Sequence, residues 1–486
     1  MLLRIIRKGQ TGILLAAGLV LAYVLLAMLR PVNHDESQYV AATVLAKSAL
    51  PWRDFAYFQT PLQPMLLAPF AVTLGTLAWP GLRVINALLG ALAVIGVARA
   101  AREAGASERM TIAAAALFAT TDILLFSAGV VRNDALPAAA LAWALIPIVR
   151  ATQGKGHAVQ AALAGLLLAI AAGSKISYAL PAIAYFGWAL ADRRHRPLMV
   201  ALGALPVVAF VGWLWLQAPE AARFEVLGFP SIAPDQMYRD AGRAYKLSLG
   251  FKAIDTLKFL ALGAALPALA AVAARWRRRE AGPARVLEVL VIAGLVAALL
   301  PEPTWRQYLL PALPPVFVCL ALAWDRSAPG RWERIAFVAF ACAGLAPSVE
   351  AAVFAAQNGV PMAVAIADGR AIAKAMDKQG VTGGVATLAP QYVAATDKPL
   401  DRRFAAGPFY FRSHGLLDPA DEQKFALLSS ARMTPDLLPQ AVLVGGDSDT
   451  EGGDAALEAK LAAAAGPRAV SILRLRNGKF TLYVLR

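Results

Sequence analysis

Three observations predict an all-α polytopic membrane protein of about eleven transmembrane helices, with further helices in the outer interface and a small C-terminal α/β extracytoplasmic domain. First, the 486 residues are 58% hydrophobic and only 16% charged, with mean hydropathy +0.56, against about 25% charged residues in ordinary soluble domains. Second, several apolar runs reach about 18 residues, enough to cross a bilayer core as a helix. Third, the net charge of +15 is carried by short basic clusters between those runs: Arg4/Arg7/Lys8, Arg193/Arg194/Arg196, Arg275/Arg277/Arg278/Arg279 and Arg326/Arg331/Arg334. Such clusters mark cytoplasmic loops under the positive-inside rule, not a nucleic-acid face.

The basic start puts residues 1–10 in the cytoplasm. The first apolar segment, about 11–29, lacks a small-residue cleavage site and reads as a retained anchor. It delivers Asn33-His34-Asp35-Glu36-Ser37-Gln38-Tyr39 to the far side. Residues 36–48 and 61–78 are amphipathic or moderately apolar with no basic cluster between them, so they are expected to lie in the interface. The remaining spans are expected at about 80–101, 110–128, 135–150, 158–173, 176–191, 197–216, 251–274, 285–300, 306–324 and 333–356. With these crossings, the clusters Arg99/Arg102/Arg109 and Arg150/Lys155 also fall inside. The segment 217–250 falls outside, carries mixed charge and is long enough for a lid over a site.

Composition changes after about residue 357, which divides the chain into 1–356 and 357–486. From residue 358 on, 15 Lys/Arg face 13 Asp/Glu, so the excess positive charge belongs to the membrane part. Strand patterns are expected at 385–388, 441–444, 470–475 and 480–485, and helices at 363–378, 420–431 and 454–465. Asn477-Gly478 between the last two strands signals a hairpin. The only two cysteines, Cys319 and Cys342, lie in apolar runs and read as packing residues.

On this topology Asp35, Glu36, Arg53, Asp54, Gln59, Arg132, Asn133, Asp134, Lys175, Glu302, Arg306 and Tyr308 collect at one membrane face. Ionisable groups at a membrane boundary that face a protein cavity point to function. Cations at headgroup level, such as Lys175 or Arg306, suit the phosphate of a lipid-linked donor, and a nearby carboxylate suits taking a proton from an acceptor hydroxyl. The plainer alternatives are helix N-caps for Asp35 and Asp134 and a snorkelling side chain for Lys175. His34 reads as a neighbour of the site. Asp122 falls inside an expected span, where a hydrogen bond to a neighbouring helix would satisfy it.

At these residues the chain resembles the GT-C superfamily of polyprenyl-phosphate-sugar-dependent glycosyltransferases, in the branch of the protein O-mannosyltransferases and lipid A aminoarabinose transferases. The resemblance runs through Asp35-Glu36 with Tyr39, Leu50-Pro51-Trp52-Arg53-Asp54-Phe55, Tyr57, and Gln59-Thr60-Pro61-Leu62. It continues with Gly81-Leu82-Arg83-Val84-Ile85-Asn86, Asn133-Asp134, Ser174-Lys175, and Arg306-Gln307-Tyr308 with Pro311 and Pro314. It covers about residues 10–325, and its weight lies in the ordered series, since no single motif is specific.

The resemblance implies an inverting transfer of a sugar from a polyprenyl-phosphate donor to a hydroxyl of an extracytoplasmic glycan, lipid or lipopolysaccharide, more than protein. It implies a multi-pass protein among the lipids of a bacterial inner (plasma) membrane, with its C-terminal domain periplasmic. Asp35 would be the base, Glu36 its supporting acid, and Asp134 a second outer-loop carboxylate. Lys175, Arg306, Tyr308, Arg53 and Gln59 would lie at the donor. The aminoarabinose transferases carry lysine where this chain has Gln59, so Lys175, Arg306 or Arg53 must supply that phosphate contact. No organic cofactor is implied; a divalent metal is left open, with Asp35 and Glu36 the only ligands on offer. A transporter or flippase of a lipid-linked sugar, or a non-catalytic envelope-assembly partner, are the other classes. The first would call for inverted repeats and midplane charges.

Overall fold

The computed structural model describes residues 2–276, 282–450 and 452–486. Arg277, Arg278 and Arg279 of the third basic cluster lie outside the described residues. Each of the eleven expected spans is helical. They are α1 (Leu2–Leu29), preceding the interfacial α2 (Glu36–Leu45) and α3 (Leu62–Leu74), then α4 (Ala78–Glu103), α5 (Glu108–Ala119) with α6 (Asp122–Gly129), α7 (Ala135–Thr152), α8 (Ala158–Ser174), α9 (Ala179–Ala191) and α10 (Pro197–Gln217). After α11 (Pro219–Arg223) and α12 (Phe229–Asp240) come α13 (Leu249–Ala261) with α14 (Ala265–Trp276), α15 (Pro283–Leu299), a 3-10 stretch at Arg306–Ala312 leading into α16 (Leu313–Arg326), and α17 (Arg331–Asn358). Among the described residues, six helices are long and apolar enough to cross a bilayer, or eight if each of two bent pairs is one span.

Helices α8, α9 and α15, with 17, 13 and 17 residues, fall short of that length, and the other departures from eleven straight spans have physical causes. The expected interfacial helix α3 continues through a 3-10 turn into α4 as one 42-residue apolar stretch. Two other spans are broken: α5 and α6 meet at 61°, α13 and α14 at 100°. The breaks lie against each other, and the Asp122 amide donates to the Leu262 carbonyl at 3.0 Å. Gly263, at φ +125°, brings its backbone so close that a Cβ would lie 2.6 Å from Thr121 Cα. Irregular backbone in an apolar bundle survives where protein partners satisfy it.

Small residues let the helices approach closely, as in other membrane bundles. A Cβ on Gly165 would lie 1.9 Å from the Val200 carbonyl oxygen, and one on Gly203 1.8 Å from that of Ala162. Helices α8 and α10 therefore meet backbone to backbone. The outward faces of α1, α10 and α17 carry exposed Leu14, Leu21, Leu198, Leu205, Val338 and Val349, an apolar rim far beyond what a protein surrounded by water carries.

Beyond α17, α18 (Pro361–Lys378) leads into a four-stranded sheet: β1 (Val385–Ala386), β2 (Ala441–Val444), β3 (Ala469–Leu475) and β4 (Phe480–Leu485), in the order β1-β2-β4-β3. β1 pairs parallel with β2, and β4 runs antiparallel to both of its neighbours. Arg476, Asn477 and Gly478, all at positive φ, make the expected hairpin turn. After α19 (Pro390–Val393), helix α20 (Pro419–Lys424) is shorter than the expected 420–431: Ala426 turns to φ 52° and the Leu427 amide closes back on the Glu422 carbonyl. The last helix, α21 (Ala455–Ala465), is capped by Asp454, whose carboxylate accepts from the Leu457 amide at 3.0 Å.

Burial pushes the Glu458 carboxyl on α21 up to about 7 from an ordinary 4.5, although the Gly445 and Asp447 amides donate to it. The folded state therefore holds this proton to higher pH than the unfolded one. That stabilisation, on the order of 3 kcal/mol, is fully present below pH 4.5 and lost as pH rises through about 7. Melting of the C-terminal part is expected at lower temperature at pH 8 than at pH 5, and Glu458→Gln is expected to flatten that dependence.

Candidate active site

The site begins where α1 ends. Arg83 on α4, fully buried, donates from Nη1 to the carbonyls of Ala27 and Arg30, both at 2.8 Å, and from Nη2 to that of Pro31 at 3.1 Å. Its Nε donates to Glu36 Oε1 at 2.8 Å, and Nη2 meets Oε2. Glu36 also accepts from Trp79 Nε1 (3.1 Å) and from the amides of Val131 (3.0 Å) and Asn33 (3.2 Å). It is fully buried, with both oxygens engaged. One carboxylate and one guanidinium thereby tie together the end of α1, the start of α2, α4 and the loop after α6.

That loop, 130–134, carries the next residues. The Asn86 amide nitrogen donates to the carbonyls of Val130 (2.7 Å) and Arg132 (3.0 Å), and Gln63 Nε2 to that of Arg132 (2.9 Å). With its backbone so held, Arg132 pairs through Nη1 with Asp35 and donates from Nε to Asp134 Oδ2 at 2.8 Å. Lys175 pairs with the other Asp134 oxygen. Asn133 Nδ2 donates to Gln59 Oε1 (3.1 Å) and to the Ser174 carbonyl (3.0 Å). Both aspartates stand at helix N-termini, yet neither side chain caps its helix. Asp35 instead meets Arg132 and, at 3.1 Å, His34 Nε2. The two differ in access: the Asp35 side chain is 17% exposed, that of Asp134 1%.

A third carboxylate completes the ring. Buried Asp122 at the start of α6 pairs with Arg30 (3.3 Å) and Arg306 (2.8 Å), the interhelical hydrogen bonding expected of it. The ring of Phe126 is flanked by the guanidiniums of Arg306, 3.5 Å from its centroid, and Arg132, 5.2 Å away. Lys175 Nζ lies 5.3 Å from the centre of Tyr308. Four cations, Arg30, Arg132, Lys175 and Arg306, thus face three carboxylates around aromatic walls, a balance that favours an anion.

Asp35, Gln59, Arg132, Asn133, Asp134, Lys175, Arg306 and Tyr308 are therefore brought together. Arg53 is not: half-exposed, it turns back on its neighbour Asp54 (2.8 Å). Glu302 is exposed and pairs with Lys252. Arg30 was not expected at the site; its place directly before Pro31 at the end of the first span was the available signal. The segment 217–250 is docked, with Glu225 accepting from the Tyr57 amide at 2.6 Å and Phe229 stacking on Phe58 at 3.8 Å.

No family model and no curated protein sequence matches the chain. Solved structures do. The crystal structure of ArnT from Cupriavidus metallidurans bound to undecaprenyl phosphate superposes with a TM-score of 0.61 at 14% identity, over 97% of this chain and 98% of that one. ArnT in the apo state gives 0.62 at 15% identity, over 98% of both chains. The chain has the GT-C fold. It is accordingly a polytopic membrane protein of that fold, with a small mixed sheet after its last long apolar helix. Within this GT-C frame, Asp35 and Glu36 do not face a common point, since one meets Arg132 and the other Arg83. Among the described residues, no three His, Cys, Asp or Glu side chains come together as metal ligands.

Proposed function

We propose that the chain is an inverting glycosyltransferase that moves a sugar from a polyprenyl-phosphate donor to a hydroxyl of an extracytoplasmic glycan or lipid. The observation that carries this reading is the part-exposed Asp35 beside a cluster of cations packed on aromatic rings. The acceptor oxygen attacks the anomeric carbon from the side opposite the phosphate and its proton passes to Asp35. The bond from that carbon to the phosphate oxygen breaks, leaving its electron pair on polyprenyl phosphate. Lys175, Arg306, Arg30 and Arg132 offset the charge that gathers on the leaving oxygen. Asp134 and Asp122 hold those cations in place, and His34 orients Asp35. Gln59, which reaches Asn133, leaves the phosphate to Lys175 and Arg306. ArnT, whose structure contains undecaprenyl phosphate, supports the choice of donor.

On the same reading the N-terminus lies in the cytoplasm of a bacterial cell, the site opens at the outer face of the inner membrane, and residues 357–486 form a periplasmic domain. The short basic clusters support this orientation. The test is turnover of a panel of polyprenyl-phosphate sugars by purified protein in lipid nanodiscs. Release of polyprenyl phosphate from at least one donor, with its sugar transferred or hydrolysed, is the expected result. A protein that releases none, while moving intact donor across vesicle membranes, overturns the reading in favour of a flippase.

A further inference from the structure

The C-terminal part closes on the start of α2, beside Asp35. Gly407 packs on Ser37, and Tyr392 of α19 meets Trp79 edge to face at 5.1 Å. Two further C-terminal residues border the His34 ring. Phe409 stands 5.6 Å from it, centre to centre. Gly452 lies against Nδ1, where a Cβ would come within 2.5 Å of that nitrogen and 2.6 Å of Cε1. On the other side of the ring, His34 Nε2 is 3.1 Å from Asp35 Oδ1. The imidazole is therefore wedged between C-terminal backbone and the carboxylate proposed as base.

Gly452 is fixed from within the C-terminal part. Arg412 donates from Nη2 to the Gly452 carbonyl at 2.8 Å and lies 3.6 Å from the buried Asp447 carboxylate. That carboxylate accepts from the Asp454 amide at 3.0 Å. The Asp447 carbonyl takes the Thr450 amide at 2.9 Å, and the Thr450 carbonyl takes the Gly453 amide at 3.0 Å. The amides of Gly445 and Asp447 in turn end on Glu458 of α21. Gly452 itself sits at φ +88°, a conformation that a glycine adopts freely and other residues rarely do. With the backbone so tied, the His34 ring is the part that gives way to a larger side chain at 452.

We propose that Gly452 and Phe409 are positioning residues for the transfer reaction. They press the His34 ring onto Asp35, and His34 fixes the carboxylate at the angle from which it meets the acceptor hydroxyl. Arg132 holds the other Asp35 oxygen, so the base is gripped by the membrane part on one side and, through His34, by the C-terminal part on the other. The proposal rests on the glycosyl-transfer reading of Asp35 and adds to it a role for the C-terminal part.

The test takes two readouts on the full-length protein in lipid nanodiscs. The first needs no turnover. The chain has four histidines, and with nitrogen-15-labelled histidine the His34 signals are identified by their loss in His34→Gln. Asp35→Asn is expected to shift the His34 Nε2 resonance in otherwise wild-type protein, and to shift it far less in a Gly452→Ala background. An equal shift in both backgrounds overturns the proposal. The second readout is sugar transfer with the donor found in the panel. Gly452→Ala and His34→Ala are each expected to lower kcat about tenfold or more, with donor KM nearly unchanged. The double variant is expected to be no slower than His34→Ala. Phe409→Ala, which puts no strain on the backbone, is expected to act in the same direction with smaller amplitude. His34→Gln, whose amide still donates to Asp35, is expected to keep more of the rate than His34→Ala. Unchanged kcat in both Gly452→Ala and Phe409→Ala overturns the proposal. So does a Gly452→Ala change that slows His34→Ala protein further, because it then acts through the backbone and not through His34. Wild-type protein that transfers no sugar counts against the glycosyl-transfer reading alone, since the resonance shift still decides whether the C-terminal part sets His34 on Asp35.

Discussion

Asp35→Asn is expected to lower sugar transfer by about 10²–10⁴-fold, the usual contribution of a positioned general base, with donor affinity nearly unchanged. The substitution keeps the shape of the side chain and an oxygen for Arg132 or His34, but it removes the basicity that accepts the proton. Asp35 makes no helix cap, so α2 loses nothing by the change. Asp134→Asn is the informative comparison. Its carboxylate is occupied on both oxygens by Lys175 and Arg132, so its loss frees two cations from their positions. That variant is expected to act first on donor binding, raising KM, and to retain more of its turnover at saturating donor. Single-turnover rates with the donor found in the panel measure both. If Asp35→Asn transfers sugar at the wild-type rate and Asp134→Asn does not, the base is Asp134.

The sequence made the course of the chain legible wherever a local pattern decided it. A short apolar run set the strand at 441–444 and alternation the one at 480–485, Asn477-Gly478 set the turn between β3 and β4, and apolar length set the helices. Within those helices the breaks were hidden. Thr120-Thr121 and Leu262-Gly263 stabilise one another across the bundle, and nothing local distinguishes them from continuous helix. The same limit applies to the site. That Asp35, Asp134, Lys175 and Arg306 share a face follows from counting crossings. Which of them touch depends on how each helix is rotated about its axis. Hence Arg53, expected among the donor contacts, turns back on the adjacent Asp54, while Arg30 pairs with Asp122 across 92 positions of sequence. The division of labour between Asp35 and Glu36 was equally out of reach. Adjacent residues at the start of a helix point about 100° apart, so one stays part-exposed against Arg132 and His34 and the other faces the interior.

That interior position is where the largest effect on stability is expected. Arg83→Met would leave the Glu36 carboxylate fully buried with only the Trp79, Val131 and Asn33 donors. It would also strip the carbonyls at the end of α1 and just beyond it, of Ala27, Arg30 and Pro31, of this partner. Removing one member of a buried pair costs ~3–5 kcal/mol. Glu36→Gln alone is expected to cost less, because the amide keeps an oxygen for the Val131 amide or the Trp79 indole. The double variant Glu36→Gln/Arg83→Met no longer buries an uncompensated charge, so it is expected to be more stable than Arg83→Met by itself. Denaturation of the four proteins in detergent micelles gives the coupling directly. A loss below ~1 kcal/mol in Arg83→Met would mean that the pair does not hold the site together. The site depends on it in a specific way: Val131 hangs from Glu36, and Arg132, the next residue, reaches Asp35. Arg83→Met protein that remains folded should therefore transfer sugar poorly even at temperatures far below its melting point.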